Sequence, residues 1–328
     1  MNTVRLTVPG NILVLGEYAV LEEGGLGLAV AVETRVRLEA EPAADLVIQG
    51  TWPGSSISWT PDRRGTSPLV EAVVEVVSRR LGTAVLAKVR VDSTAFFTPE
   101  GRKTGLGSSA AVSVALVCGL LRAAGGPGVP VSEMPGLAVK AHRYAQGGRG
   151  SGYDVLTSFH GGSGLFHGGA APRWEAAPLP VDLDILLFAG PAPISTADSV
   201  ARYSSWKALN PGAARDFLEE SNNAIRSFAG SGTAASAQEW LGRCRTLGIE
   251  LGRSIGVTAE LPVPAGLDPL WCKSLGAGNE LGLCLAPRDA RPRDAAPLGA
   301  GRLGGEPRAA MDGVRVVQRA ETGVAWEE

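Results

Sequence analysis

The stretch Lys103-Thr104-Gly105-Leu106-Gly107-Ser108-Ser109-Ala110-Ala111 runs directly into an apolar segment, Ser109 to Ala124, whose residues predict a helix buried nearly all round. Two glycines one residue apart let a backbone wrap closely around a ligand. Ser108 and Ser109 are candidate caps for the helix. Free N–H groups and the positive end of the helix dipole at such a start suit an anion, above all a phosphate. The stretch is not a Walker A loop, because no Gly-Lys-Ser/Thr closes it, and it is not a GxGxxG opening a Rossmann unit. Its plainer reading is a capped helix after a glycine turn.

Three further small-residue segments flank this one. Upstream lies Pro9-Gly10-Asn11-Ile12-Leu13-Val14-Leu15-Gly16-Glu17-Tyr18-Ala19-Val20-Leu21. Downstream, Gly147-Gly148-Arg149-Gly150-Ser151-Gly152-Tyr153-Asp154 sets a carboxylate behind a flexible loop and ahead of a small-residue segment. Farther on, Lys273-Ser274-Leu275-Gly276-Ala277-Gly278 forms a loop before an apolar strand, Leu281 to Leu285.

Around these motifs, strand-like runs are expected at 4–8, 12–15, 28–40, 85–91, 184–189 and 314–319. Helical periodicity is expected at 68–81, 109–124, 132–146, 197–209, 212–229 and 233–251. The order is strands, helices, strands, helices, strand, which indicates an α+β protein of two lobes rather than a doubly wound sheet. A boundary near 180–185 divides the chain into lobes 1–180 and 181–328. The stretch Ala286 to Ala309, rich in Arg, Pro, Gly and Ala, reads as a mobile surface loop.

Composition narrows the function. The 328 residues carry 31 Lys plus Arg against 33 Asp plus Glu, a net charge of −2. That balance and an aromatic content of 5% argue against nucleic acid as a partner. The four cysteines, Cys118, Cys244, Cys272 and Cys284, form no CxxC pair and so no zinc or redox motif. The N-terminus has no signal-peptide pattern, and the longest apolar run, 110–121, is too short to span a bilayer. A cytoplasmic protein without a membrane partner is expected, as a monomer or homodimer.

The four glycine segments, in this order, resemble those of the GHMP kinase superfamily. Within it, Lys103–Ala110, the run Ala141-His142-Arg143-Tyr144-Ala145-Gln146-Gly147 leading into Gly150–Asp154, Ser195-Thr196 and Glu219-Glu220-Ser221-Asn222-Asn223 resemble phosphomevalonate kinases most. Mevalonate kinases usually carry a metal-binding Glu on the helix before the Asp loop, where this chain has His142-Arg143. The resemblance implies the two-lobe GHMP fold, with an N-terminal ribosomal-S5-like lobe carrying ATP and a C-terminal ferredoxin-like lobe closing over the acceptor. It implies ATP and Mg²⁺ as cofactors and a small phosphorylated acceptor. The implied reaction is transfer of the γ-phosphate to 5-phosphomevalonate, in isoprenoid biosynthesis by the mevalonate pathway.

Site residues follow from the same resemblance. Gly105, Leu106, Gly107, Ser108, Ser109 and Ala110 would bind ATP, with the Ser109 hydroxyl also offered to Mg²⁺. Asp154, Lys103 and Asn11 are the catalytic candidates. Glu17, Tyr18, His142, Arg149, Ser151, Gly152, Ser195, Thr196, Lys273, Gly276, Ala277 and Gly278 are the substrate-binding candidates. A phosphate acceptor is already ionised near neutral pH, so positive charge matters more than a strong base. Lys103, Arg149, His142 and Lys273 can supply it. Each also has a plainer reading: a solvated lysine, a surface pair, a packing histidine, a residue before a turn. Asp154 alone would be an ordinary turn aspartate, and Ser195 and Thr196 can simply cap the helix that follows.

Two positions depart from the family pattern. The first motif usually reads Pro-Gly-Lys, with the Lys helping catalysis beside the Asp, and here the position is Asn11. The last motif usually continues with glycines, and here Gly278 precedes Asn279-Glu280, so Glu280 either points away or helps hold a metal. Three readings stay open: a phosphomevalonate kinase, a GHMP kinase for mevalonate, a sugar or another small alcohol, and a non-catalytic ligand-binding relative.

Overall fold

The computed structural model describes residues 3–98, 100–125, 128–180, 182–191, 195–287, 296–297 and 314–327. Most of the expected mobile loop at 286–309 lies outside the described residues. Its first two residues, Ala286 and Pro287, belong to a strand instead.

The chain divides into two compact units: 1–12, 30–162 and 319–328 in the first, and 13–29 and 163–318 in the second. It passes from one to the other after Ile12, Ala29, Gly162 and Gln318, rather than once near 180.

An eight-stranded sheet has the main path β13-β1-β2-β5-β3-β4, from β1 (Val4–Leu15), β2 (Leu26–Pro42), β3 (Val47–Trp52), β4 (Ser55–Trp59), β5 (Ala87–Asp92) and β13 (Ala325–Glu327), all of it in the first unit except 13–15 of β1 and 26–29 of β2. The runs at 4–8 and 12–15 are one continuous strand. Pro9 lies past the residues that register with β13, Arg5 to Thr7, so its missing N–H costs that pairing nothing.

Four helices accompany this sheet: α1 (Pro68–Leu81), α2 (Ser108–Gly125), α3 (Met134–Ala145) and α4 (Tyr153–His160). The start and stop of α1 are both legible, with Pro68 in its first turn and Gly82 left-handed at φ 68° just past its end. Its buried face carries Val70, Val73, Val76 and Val77. Each contributes about 1.5–3 kcal/mol of transfer free energy, an upper bound against a fully extended chain. Helix α2 is buried from Ala110 to Leu121 at nearly every position. A Cβ at its Gly119 would stand 2.4 Å from Leu38 Cδ2, so the glycine lets α2 lie close on β2.

Two expectations need correction here. The helix foreseen at 132–146 is a 3-10 turn, Val131–Glu133, followed by α3. The segment after Asp154, read as small residues only, is the helix α4.

The second unit carries a five-stranded sheet, β11-β12-β8-β10-β9, with β8 (Leu183–Ala189), β9 (Cys272–Leu275), β10 (Leu281–Pro287), β11 (Ala296–Pro297) and β12 (Arg315–Val317). Strand β6 (Ser163–His167) pairs with β2 and β7 (Arg173–Ala176). Helices α5 (Thr196–Leu209), α6 (Pro211–Ala229) and α7 (Ala234–Ile255) pack on one another. The last expected strand shrinks to β12, and β13 follows it.

Candidate functional site

The loop before α2 is held at three points. Thr104 donates to Phe96 O through both N–H (3.0 Å) and Oγ1 (3.1 Å). Asn11 N–H donates to Leu106 O at 3.0 Å. Gly105 and Gly107 take φ values of 78° and 73°, left-handed backbone that favours glycine. A Cβ on Gly107 would sit 2.1 Å from Asn11 Nδ2, and one on Gly10 would sit 2.5 Å from Leu106 O. The motifs at 10–11 and 105–107 are therefore cut to fit each other.

Ala111 N–H donates to Gly107 O at 3.1 Å, which makes Gly107 the cap residue. Ser108 and Ser109, expected as caps, are the first two residues inside α2. Their hydroxyls are thereby released from capping, while the first-turn N–H groups keep no intrahelical acceptor.

Ser109 Oγ lies 3.2 Å from His142 Nε2, on α3. The other ring nitrogen, Nδ1, lies 3.7 Å from Asp154 Oδ2. Gln146 Nε2 also approaches His142 Nε2, at 3.4 Å. The His142 ring is buried, whereas Asp154 keeps 24% of its side chain exposed. The imidazole thus lies between Ser109 and the carboxylate, within hydrogen-bond distance of the serine only.

Asp154 sits in the first turn of α4, where the helix dipole favours negative charge, and its Oδ1 accepts from Val155 N–H at 2.9 Å. The approach to it needs Gly150 (φ 103°) and Gly152 (φ 88°). Arg143 fastens that approach, donating from Nε to Gly150 O (3.0 Å) and from Nη2 to Ser151 O (2.5 Å). Burial draws the Arg143 guanidinium down from its usual pKa, and the charge of Asp154 opposes that.

Asn11 is 2% exposed, and its Nδ2 donates to Ser158 Oγ at 3.0 Å. Lys103 and Arg149 are exposed, and neither enters an ion pair among the described residues. The first unit thus gathers Asn11, Gly105 to Ala110, His142, Ser151, Gly152 and Asp154, with Lys103 and Arg149 on its surface. Arg143 enters the sequence reading only as part of the run 141–147, not as a site residue, and Ser158 does not enter it. Arg143 could have been found one position after His142, while nothing in the sequence marks Ser158.

In the second unit a separate cluster surrounds Gly276. Glu17 and Lys273 form an ion pair with side chains 17% and 4% exposed. Lys273 Nζ also donates to Ser274 O at 2.5 Å. Tyr18 donates from its hydroxyl to Ala277 O at 2.7 Å. Glu17, Tyr18, Ser221, Cys244, Lys273 and Gly278 help line a cavity of about 30 Å³, room for about one water. Burial pushes the Cys244 thiol up to about 12, so it is no thiolate at working pH.

Ser195 and Thr196 are exposed and do not line this cavity. Ser195 caps α5, its Oγ accepting from Asp198 N–H at 3.2 Å. Asn279 is buried, with Nδ2 donating to Glu260 O at 3.1 Å, whereas Glu280 is exposed. Among the described residues no three His, Cys, Asp or Glu side chains converge as a metal site.

Comparison with known proteins agrees with this architecture. Residues 68–162, from α1 through α4, match the family model of the GHMP kinases N terminal domain. The α+β fold is that of GHMP kinases. It superposes on a phosphomevalonate kinase from Streptococcus pneumoniae, solved with phosphomevalonate and AMPPNP, with a TM-score of 0.68 and 18% identity over 88% of this chain and 92% of that one. A Lin0012 protein from Listeria innocua gives a TM-score of 0.72 and 22% identity, again over 88% and 92%.

In sequence the chain is similar to phosphomevalonate kinases. One, from Saccharolobus solfataricus, is 30% identical over 161 residues, 48% of this chain and 47% of the relative. The match thus spans about half the length of that relative.

No described helix is long and apolar enough to cross a membrane.

Proposed function

We propose that the protein is an ATP-dependent kinase that transfers the γ-phosphate to the phosphate of 5-phosphomevalonate. The observation that carries this reading is the convergence of Ser109, in the first turn of the helix behind a glycine loop, and Asp154 on either side of His142, at 3.2 Å and 3.7 Å from its two ring nitrogens. In transfer, a phosphate oxygen of the acceptor forms the new P–O bond, the bond between the γ-phosphorus and the bridging oxygen breaks, and ADP departs. Such chemistry asks mainly for positioning and charge stabilisation.

The first-turn N–H groups of α2, from Ser108 to Ala110, hold the ATP phosphates. Asp154 orients the acceptor oxygen, which arrives already ionised. His142 holds the Ser109 hydroxyl and lies beside Asp154. Lys103 and Arg149 supply the exposed cations that let two anions approach. Gly276, Ala277 and Gly278 are acceptor-binding candidates on the family resemblance alone. Mg²⁺ would be held by the ATP phosphates and water, with the Ser109 hydroxyl as the one protein oxygen offered to it. Bound with ATP, Mg²⁺ neutralises the charge that builds on the transferring group.

The test is a coupled ADP-release assay with ATP and Mg²⁺ against 5-phosphomevalonate, mevalonate and several sugars. Turnover with phosphomevalonate alone is expected. Turnover with another acceptor keeps the kinase and replaces the substrate, and nucleotide binding without turnover points to a non-catalytic relative. Asp154→Ala should lower kcat about 10²–10⁴-fold without unfolding the chain. Unchanged turnover removes Asp154 from the mechanism.

A further inference from the structure

Among the described residues Tyr18 is the only one other than glycine with a positive φ, 66° with ψ −42°. For a bulky side chain this is a strained conformation, sustained only where surrounding contacts over-determine it. The contacts are present. The ring packs on Tyr203 with centroids 5.2 Å apart, within a buried cluster that includes Leu251, Ile255 and Val257. The residue is 9% exposed, and its hydroxyl is 2.7 Å from Ala277 O. Gly16, at φ 101°, turns the chain into this position.

The residue just before it makes a second attachment to the same stretch of chain. Glu17 neutralises the buried Lys273, which also donates to Ser274 O. The two attachments therefore fall on either side of Gly276. Gly276 itself is left-handed at φ 77°, and a Cβ there would meet nothing within 4 Å. Space does not constrain that turn, so its shape depends on what holds its two ends.

We infer that Glu17 and Tyr18 are positioning residues that clamp the loop Ser274–Gly278 from both sides, rather than groups that touch the acceptor. Two facts oppose direct contact. The charge of Lys273 is already balanced by Glu17, so the pair presents no net cation to an anion. The Tyr18 hydroxyl is already committed to a backbone carbonyl. Burial pushes that phenol up to about 12, so it remains a donor throughout the working range. The backbone strain at Tyr18 then has a purpose: it aims the ring and hydroxyl at Ala277. The inference deepens the proposed function by giving these two residues a role, but the clamp itself does not depend on which acceptor is used.

Tyr18→Phe tests it, since it keeps the strained backbone and the ring packing and removes only the hydroxyl. Hydrogen exchange is measured on the full chain without ligands. Amides at 275–279 should exchange about fivefold faster than in the wild type, the factor expected for one neutral hydrogen bond. Tyr203→Phe, which removes a hydroxyl from the same aromatic cluster without touching the loop, should leave those amides unchanged. In the kinase assay Tyr18→Phe should raise KM for 5-phosphomevalonate and leave KM for ATP as it was. Unchanged exchange in Tyr18→Phe overturns the clamp, and a fall in acceptor affinity alongside it assigns the hydroxyl to the acceptor. Equal acceleration in Tyr203→Phe also overturns it, because the effect would then be general loosening of the cluster. Faster exchange in Tyr18→Phe alone, from a wild type inactive on every acceptor, would sustain the clamp and defeat the kinase reading.

Discussion

The loops at 105–109 and at 274–278 are written in the same small-residue alphabet, yet the molecule treats them in opposite ways. Around the first, charges are left available. Lys103 and Arg149 are exposed, Asp154 is partly open to solvent, and the two loop serines lie inside the helix instead of capping it. Around the second, charges are consumed. Lys273 is buried against Glu17, and Ala277 O is taken by Tyr18. The difference teaches that a lysine beside a glycine loop is no measure of available positive charge. What counts is whether a carboxylate reaches it out of the solvent. The first loop is equipped to receive an anion, whereas the second has its shape determined by the protein itself.

The sharpest way to break this contrast is Lys273→Met. It leaves the Glu17 carboxylate, 17% exposed, without its partner. Losing one member of a buried pair costs about 3–5 kcal/mol, which denaturant unfolding would register as a lower midpoint. A loss below about 1 kcal/mol would mean that the pair behaves like a surface one and that the contrast is false.

Gly107→Ala should rank next. The new methyl meets the Asn11 side chain and requires a left-handed alanine, at a cost of about 1–3 kcal/mol. Nucleotide affinity, read by fluorescence titration, should fall along with stability. Retained affinity would show that the loop tolerates a different path.

Lys103→Ala should have the smallest effect, changing stability by less than about 0.5 kcal/mol, as for an unpaired surface residue. Transfer should nevertheless slow about tenfold, if its charge serves the anions. Wild-type kinetics would place the useful cation elsewhere, with Arg149 the next to replace.

The corrections have local physical causes. Helix α4 was missed because its eight residues follow four glycines within six positions, and a helix of two turns shows little periodicity. Strands β9 and β13, of four and three residues, are shorter than any alternation can reveal. The serines of the 105–109 loop were misplaced by one step, since Gly107 caps as well as turns. Asn11, a catalytic candidate on the resemblance, is a buried amide bonded to Ser158 and pressed against Gly107, a fit between residues far apart in the chain.

The sequence by itself determined the α+β class, the helices α1 and α2, and the glycine motifs that mark where backbone must pass close to something. Those properties are local: periodicity, caps and the absence of a Cβ act within a few residues. Only the tertiary structure decided which charges survive as charges. It brought Ser109 and Asp154 to either side of His142, retired Lys273 into an ion pair 256 residues from its partner, and carried the chain between two units at Ile12, Ala29, Gly162 and Gln318. Pairing and burial depend on which distant segments meet, and it is pairing and burial that decide whether an ionisable group can act on a ligand.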